Sequence, residues 1–290
     1  MKSRKHLLII TGIFILLLQS TTACQANSPG PTKDEIENLL EESTEEFPNT
    51  EAITLPKDKP WDLLWVSDSS GWGVAEIYGQ FIAEDNGVEV NVIDSWIGGL
   101  SAGEILQGLT TQDTHNANLD NLREIIAEAE IIVIYGNPEK SINPGNPGDW
   151  LCGQPGGKSC YVNNCAKGTF SQYIEDLTDI YEIIFEIRQG KPTIIRAIDA
   201  INPGLVHACE PDIRSACTVC WETYNDAVHE AADQMGIPIA NIFDAWNGLD
   251  HTEDPVANGY TQEDNIHPNE LGATVIAQVL RDLGYEPIIP

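Results

Sequence analysis

Four short stretches of this chain carry residue types that together can open an ester. Ser67-Asp68-Ser69-Ser70-Gly71 follows an apolar run. A serine hydroxyl is a poor nucleophile until a base removes its proton as it attacks. Asp264-Asn265-Ile266-His267-Pro268 holds the candidate base, His267. An imidazole takes up a proton near neutral pH and can return it to a departing alcohol. Trp96-Ile97-Gly98-Gly99-Leu100 and Tyr135-Gly136-Asn137-Pro138 are Gly-containing turns between the two. Each stretch also has a plainer role. Ser69 and Ser70 suit the cap of a helix starting near Gly73, Gly98-Gly99 a loop, and Asn137-Pro138 a turn. Asp264 is an ordinary helix-flanking acid, and His267-Pro268 an ordinary helix start.

The elements that must position these residues alternate strand and helix. Trp61–Val66, Val88–Ile93, Ile131–Tyr135, Thr193–Ala197 and Pro238–Phe243 are nearly continuous apolar runs and read as buried strands. Helical spacing falls at Val74–Glu84, Ala102–Leu109, Leu119–Ala129, Phe170–Gln189, Trp221–Met235 and Asn269–Leu283. Regular βα alternation with such strands predicts an α/β fold: a three-layer α/β/α sandwich with a central parallel sheet of about five strands. In these sheets ligands bind beyond the carboxyl ends of the strands. The Ser, Gly and Asn stretches each follow a predicted strand, and Asp264–His267 precedes the last helix.

This order of blocks resembles the SGNH (GDSL-type) hydrolases, whose fold is flavodoxin-like and whose four blocks carry Ser, Gly, Asn and Asp-x-x-His. The resemblance runs from about Trp61 to the C-terminus, and its most specific element is Asp264-x-x-His267-Pro268. The family's Gly-Asp-Ser is here Ser67-Asp68-Ser69, and its Gly-x-Asn-Asp is Tyr135-Gly136-Asn137-Pro138, where Pro138 removes a supporting polar group. The motif spacing selects Ser69 over Ser70 as nucleophile. The resemblance further implies that Asp264 orients His267, and that the backbone N–H groups of Ser69 and Gly99 and the amide of Asn137 receive the oxyanion. Such a carboxylic ester hydrolase works through an acyl-enzyme, with no cofactor and no metal. Trp72 and Trp96, beside the motifs, suit stacking on a sugar ring, which favours acetylated carbohydrates or short-chain esters; Trp72 also suits the core. Two alternatives share the fold: a cell-surface carbohydrate-binding protein without catalysis, and an acyltransferase.

The 290 residues include 45 Asp+Glu against 15 Lys+Arg, for a formal net charge of −30, and 42% are hydrophobic. Length and apolar share suffice for one large domain. The field has the wrong sign for nucleic acid, which calls for a basic footprint, and an anionic bilayer would repel it. Membrane contact therefore needs an anchor. Three cations ahead of the apolar run Leu7–Leu18 read as a secretory signal. Thr21-Thr22-Ala23-Cys24 resembles the lipobox of bacterial lipoproteins, in which the cysteine is lipidated. The expected layout is a signal peptide over 1–23, a lipidated Cys24 with an acidic tether over 24–59 including a short helix near Asp34–Glu46, and the hydrolase domain over 60–290. The protein is then exported, as a monomer held to the membrane only through Cys24, or else secreted. Three positives lie within 1–31 and residues 32–59 net −6, so −27 of the charge belongs to 60–290. A domain this acidic should bind anionic substrates poorly and release a carboxylate product quickly.

Besides Cys24, the chain has Cys152, Cys160, Cys165, Cys209, Cys217 and Cys220. An even number in an exported protein suggests three disulfides, with fifteen pairings open. Their expected role is to staple a Cys-rich insertion at about 138–169, a cleft wall with Trp150 and Tyr161 as contacts. A zinc reading of Cys209 with Cys217-x-x-Cys220 lacks a second pair or a suitably spaced histidine. His207, His229 and His251 have no partner at useful spacing and are expected at the surface.

Overall fold

A computed structural model describes residues 53–111, 119–138, 170–203 and 214–290. The leader, Cys24, the tether before residue 53, Cys152, Cys160, Cys165 and Cys209, with Trp150, Tyr161 and His207, lie outside the described residues.

Five strands, β1 (Trp61–Val66), β2 (Val90–Asp94), β3 (Ile131–Ile134), β4 (Ile194–Ile198) and β5 (Ile239–Ala240), form one sheet in the order β2-β1-β3-β4-β5. Every pairing is parallel. Among the described residues the helices are α1 (Val74–Asn86), α2 (Ala102–Thr111), α3 (Leu122–Glu128), α4 (Ser171–Arg188), α5 (Arg214–Met235), α6 (Ile242–Asn247) and α7 (Glu270–Asp282). They gather in two groups, α1 and α6 against α7, and α2, α3 and α5 against α4. The result is the expected three-layer α/β/α arrangement. Covering both faces explains why β3 is apolar at every position and wholly buried, without the alternation of a half-exposed strand. The register runs Leu63↔Ile131 to Val66↔Ile134 on one side of β1, and ends with Trp65↔Asp94 on the other.

Two elements differ from expectation. The run Pro238–Phe243 is a strand only at Ile239–Ala240, and Ile242–Asn247 turns into α6. The Asp199 carboxylate at the end of β4 accepts the Phe243 N–H at 3.0 Å, which satisfies a donor of the first helical turn. Periodicity alone cannot tell a short buried strand from a buried helix start. Helix α5 begins at Arg214, seven residues before the predicted start at Trp221. On it, Cys217 and Cys220 are buried and disulfide-bonded.

Candidate active site

The strand order reverses between β1 and β3, the switch point at which sheets of this order form a crevice. Parallel pairing continues past the strand ends into the motif turns. Tyr135 N–H donates to Val66 O at 2.9 Å, Ser95 N–H to Trp65 O at 2.8 Å, and Ile97 N–H to Ser67 O at 2.9 Å. The Ser, Gly and Asn turns are thus bonded side by side. Ser101 and Asn137 add a bridge, with Asn137 N–H to Leu100 O and Ala102 N–H to Asn137 O, both 2.9 Å. Ser101 and Glu104 form a capping box at the start of α2: the Ser101 hydroxyl donates to the Glu104 carboxylate at 2.9 Å, which also accepts Ser101 N–H at 3.1 Å. Gly136 is required here, because a Cβ would stand 2.7 Å from Ala102 N. The Tyr173 hydroxyl donates to the Gly136 carbonyl at 2.7 Å and fixes the turn from below.

After β1 the chain enters a 3-10 turn, Ser69–Gly71, capped by Asp68. Asp68 accepts Ser70 N–H at 2.8 Å and the Ser70 hydroxyl at 2.5 Å, and the Asn137 amide approaches its other oxygen at 3.4 Å. Burial pushes the Asp68 carboxyl above its ordinary range, while these donors and the nearby His267 pull it back. Neither serine caps α1, whose N-cap position is Gly73 with no side-chain cap. Ser70 is engaged with Asp68. No hydrogen bond among the described residues engages the Ser69 hydroxyl, and none of their groups accepts from the backbone N–H of Ser69 or Gly99. Gly99 has φ +69°, a conformation that keeps side chains away from this turn. Ser67, where the family has glycine, is fully buried: its hydroxyl accepts the Trp65 indole N–H at 2.8 Å and donates to Asp68 O at 2.9 Å.

His267 and Asp264 are joined directly, Nδ1 to the carboxylate at 2.6 Å. The second carboxylate oxygen accepts Ile266 N–H at 2.9 Å and His267 N–H at 3.1 Å, so one residue shapes the turn and orients the ring. Burial works against the Asp264 charge, yet these hydrogen bonds outweigh it and hold its pKa below the ordinary value. Two side chains hold the loop in place. Gln262 donates to Pro268 O at 2.8 Å, and Asn269 caps α7 at Gly272 N–H while donating to Gly259 O and Thr261 O at 2.7 and 2.8 Å. Trp72 links the two turns: its backbone N–H donates to Ser69 O at 3.3 Å, and its ring meets the His267 imidazole edge-on at 6.0 Å and stacks on Trp96 at 5.4 Å. His267 and Ser69 are not hydrogen-bonded to each other. Catalytic hydrogen bonds are often loose before substrate binds. Trp72 is no core residue, with 45% of its surface exposed.

Gly272 lets α7 approach this loop. A Cβ there would lie 2.2 Å from Tyr260 O and 2.6 Å from the Trp246 ring. Backbone cannot step aside as a flexible side chain does, so Gly272→Ala is expected to destabilise the fold by ~3 kcal/mol, the upper range for overpacking. Urea unfolding checks this, and an unchanged midpoint would show that α7 shifts freely.

Sequence reasoning missed Asp68, Gln262 and Asn269, whose roles arise from contacts across loops. It also misjudged His229 and His251, which are not partnerless surface residues. His229 pairs with the buried Asp199 at 3.2 Å. His251 bridges Glu222 of α5 and Asp244 of α6 at 3.0 and 2.8 Å and stacks on Phe243 at 4.0 Å. The partners of His229 and of Nδ1 of His251 lie 30 and 29 residues away, beyond any local spacing. These groups line a hollow of about 410 Å³ at the ends of β4 and β5, apart from the Ser and His turns. Burial opposes the His251 charge, but the hydrogen bonds to Glu222 and Asp244 outweigh it and raise the pKa above 6.5. For His229 the Asp199 hydrogen bond does the same against burial. A raised folded-state pKa stabilises fully below the unfolded value and is lost as pH rises through the folded one. The protein should therefore unfold at lower urea at pH 9 than at pH 6, and His251→Gln should narrow that gap. An equal gap in the variant would mean the bridged imidazole carries no charge.

No family model and no curated protein matches the chain. Solved structures do share its fold. The lipase Lip_vut3 from goat rumen metagenome superposes with a TM-score of 0.54 at 19% identity, over 78% of this chain and 98% of its own. A protein described as a GDSL-like lipase, from Parabacteroides merdae, superposes with a TM-score of 0.55 at 12% identity, over 79% and 98%. The chain has the fold of these hydrolases.

Proposed function

We propose that this chain is an exported serine hydrolase of carboxylic esters, with Ser69, His267 and Asp264 as its triad. The observation that carries the reading is the 2.6 Å bond between Asp264 and His267 Nδ1, which leaves Nε2 as the working nitrogen, while no hydrogen bond among the described residues engages the Ser69 hydroxyl. The Ser69 oxygen attacks the acyl carbon and its proton passes to His267 Nε2. The tetrahedral oxyanion takes the N–H groups of Ser69 and Gly99 and the amide of Asn137. Collapse releases the alcohol, which leaves with the His267 proton, and water then frees the acid by the same route. Substrates are neutral esters, among them acetylated carbohydrates and short-chain esters, in keeping with the acidic domain. The protein acts as a monomer, tethered through a lipidated Cys24. The fold shared with two lipases supports the class of chemistry.

A fluorophosphonate, which esterifies only an activated serine, tests the reading. It should abolish p-nitrophenyl acetate hydrolysis in step with one label per chain, found on Ser69 by mass spectrometry. A label on Ser70, or hydrolysis that survives stoichiometric labelling, would overturn it.

A further inference from the structure

Beside His267 lies a hollow of about 430 Å³, whose lining includes Trp72, Ile77, Gln262, Pro268 and Glu270. We infer that this hollow is the leaving-alcohol subsite of the proposed esterase, with Trp72 as its platform, and that it selects esters of hydroxylated ring alcohols. The inference rests on the esterase reading.

The direction of proton transfer assigns the side. When the tetrahedral intermediate collapses, the bond from the acyl carbon to the alcohol oxygen breaks and its electron pair stays on that oxygen. The proton comes from His267 Nε2, because Nδ1 is held by Asp264. The departing oxygen must then lie within about 3 Å of Nε2. The first atoms of the alcohol therefore lie against the imidazole, where the Trp72 ring stands at 6.0 Å and Gln262 and Pro268 flank the loop. The oxyanion faces the Gly99 and Asn137 turns, and the acyl chain takes the remaining position on the reacting carbon, away from the imidazole.

The lining sets the chemistry. Trp72 keeps 45% of its surface exposed although Trp96 stacks on it, so it is a large apolar surface already fixed in place. A fixed aromatic surface loses little side-chain freedom when a ring settles on it. The polar groups offered are mostly acceptors. Gln262 uses one amide N–H on Pro268 O, which leaves Oε1 and its second N–H, and Glu270 presents a carboxylate. Asn269 is fully engaged with Gly259, Thr261 and Gly272. Among the described residues no cation lines the hollow to receive a phosphate or uronate. A flat apolar surface with acceptors and one amide donor at its rim fits a neutral ring that carries hydroxyls, which donate and accept.

Three acetates with the same acyl group test this: an acetylated methyl pyranoside, benzyl acetate and 2-methoxyethyl acetate. Trp72→Ala should raise the KM ratio of the pyranoside to the open-chain ester about tenfold, the scale of one lost stacking contact, and Trp72→Phe should restore most of it. An unchanged ratio overturns the subsite. A rise confined to benzyl acetate overturns the hydroxylated ring and leaves an aromatic one. Ser69→Ala separates the two claims, since hydrolysis surviving it removes Ser69 as the nucleophile, while the KM ratio in Trp72→Ala still reads the subsite. Should the wild type hydrolyse none of the three, titration of tryptophan fluorescence with the free methyl pyranoside decides. Saturable quenching lost in Trp72→Ala supports the subsite, and no saturable quenching overturns it.

Discussion

Ser69→Ala is expected to lower kcat on p-nitrophenyl acetate by roughly 10⁴- to 10⁶-fold, the range seen when an acyl-enzyme nucleophile is removed. Its neighbour makes the result specific. Ser69 and Ser70 are adjacent, similarly exposed and equally serine, yet their hydroxyls are placed differently. Ser70 donates to the Asp68 carboxylate at 2.5 Å, while no described group bonds the Ser69 hydroxyl. Ser69→Ala should therefore remove activity and leave the urea midpoint nearly unchanged. Ser70→Ala should do the reverse. It loses a hydrogen bond to a charged, half-buried group, at a cost of ~1.5–3 kcal/mol, while kcat stays within about tenfold. Paired kinetics and unfolding on the two variants check both halves. Activity lost with Ser70 and kept without Ser69 would transfer the nucleophile.

The sheet was legible because burial on both faces writes an unmistakable code: Ile131-Ile132-Val133-Ile134 has no polar residue, and its strand is central. Edge elements were less so. At Ile239–Phe243 an apolar run splits into a short strand and a helix because Asp199, some forty residues earlier, accepts an N–H there. The same limit governs the site. Asp264 and His267 are three residues apart, so their contact could be anticipated from sequence. Asp68 draws on Asn137, and the His251 bridge on Glu222, 69 and 29 residues away. Ser67 shows a third kind of limit. It stands where the SGNH pattern has glycine, and its hydroxyl answers a need created by Trp65, whose buried indole N–H would otherwise lack an acceptor.

Asp264→Asn isolates the orienting bond more cleanly than a deletion would. Both backbone N–H groups of the turn, from Ile266 and His267, go to one carboxylate oxygen, and His267 Nδ1 goes to the other. An asparagine with its carbonyl on the backbone side keeps the turn and puts an NH₂ opposite Nδ1, where it cannot accept. The imidazole is then driven toward the tautomer with its proton on Nε2, which cannot take the serine proton. A buried triad aspartate changed in this way costs ~10⁴ in kcat. Here the Asp264 side chain is 43% exposed, so solvent screens its charge and water can replace part of its support. The expected loss is accordingly smaller, about 10³-fold in kcat with KM and the urea midpoint little changed. The readouts are steady-state kinetics and unfolding on the same preparation. A loss under about tenfold would show that His267 is oriented by its loop alone, and a matching fall in stability would assign Asp264 to the turn and not to the chemistry.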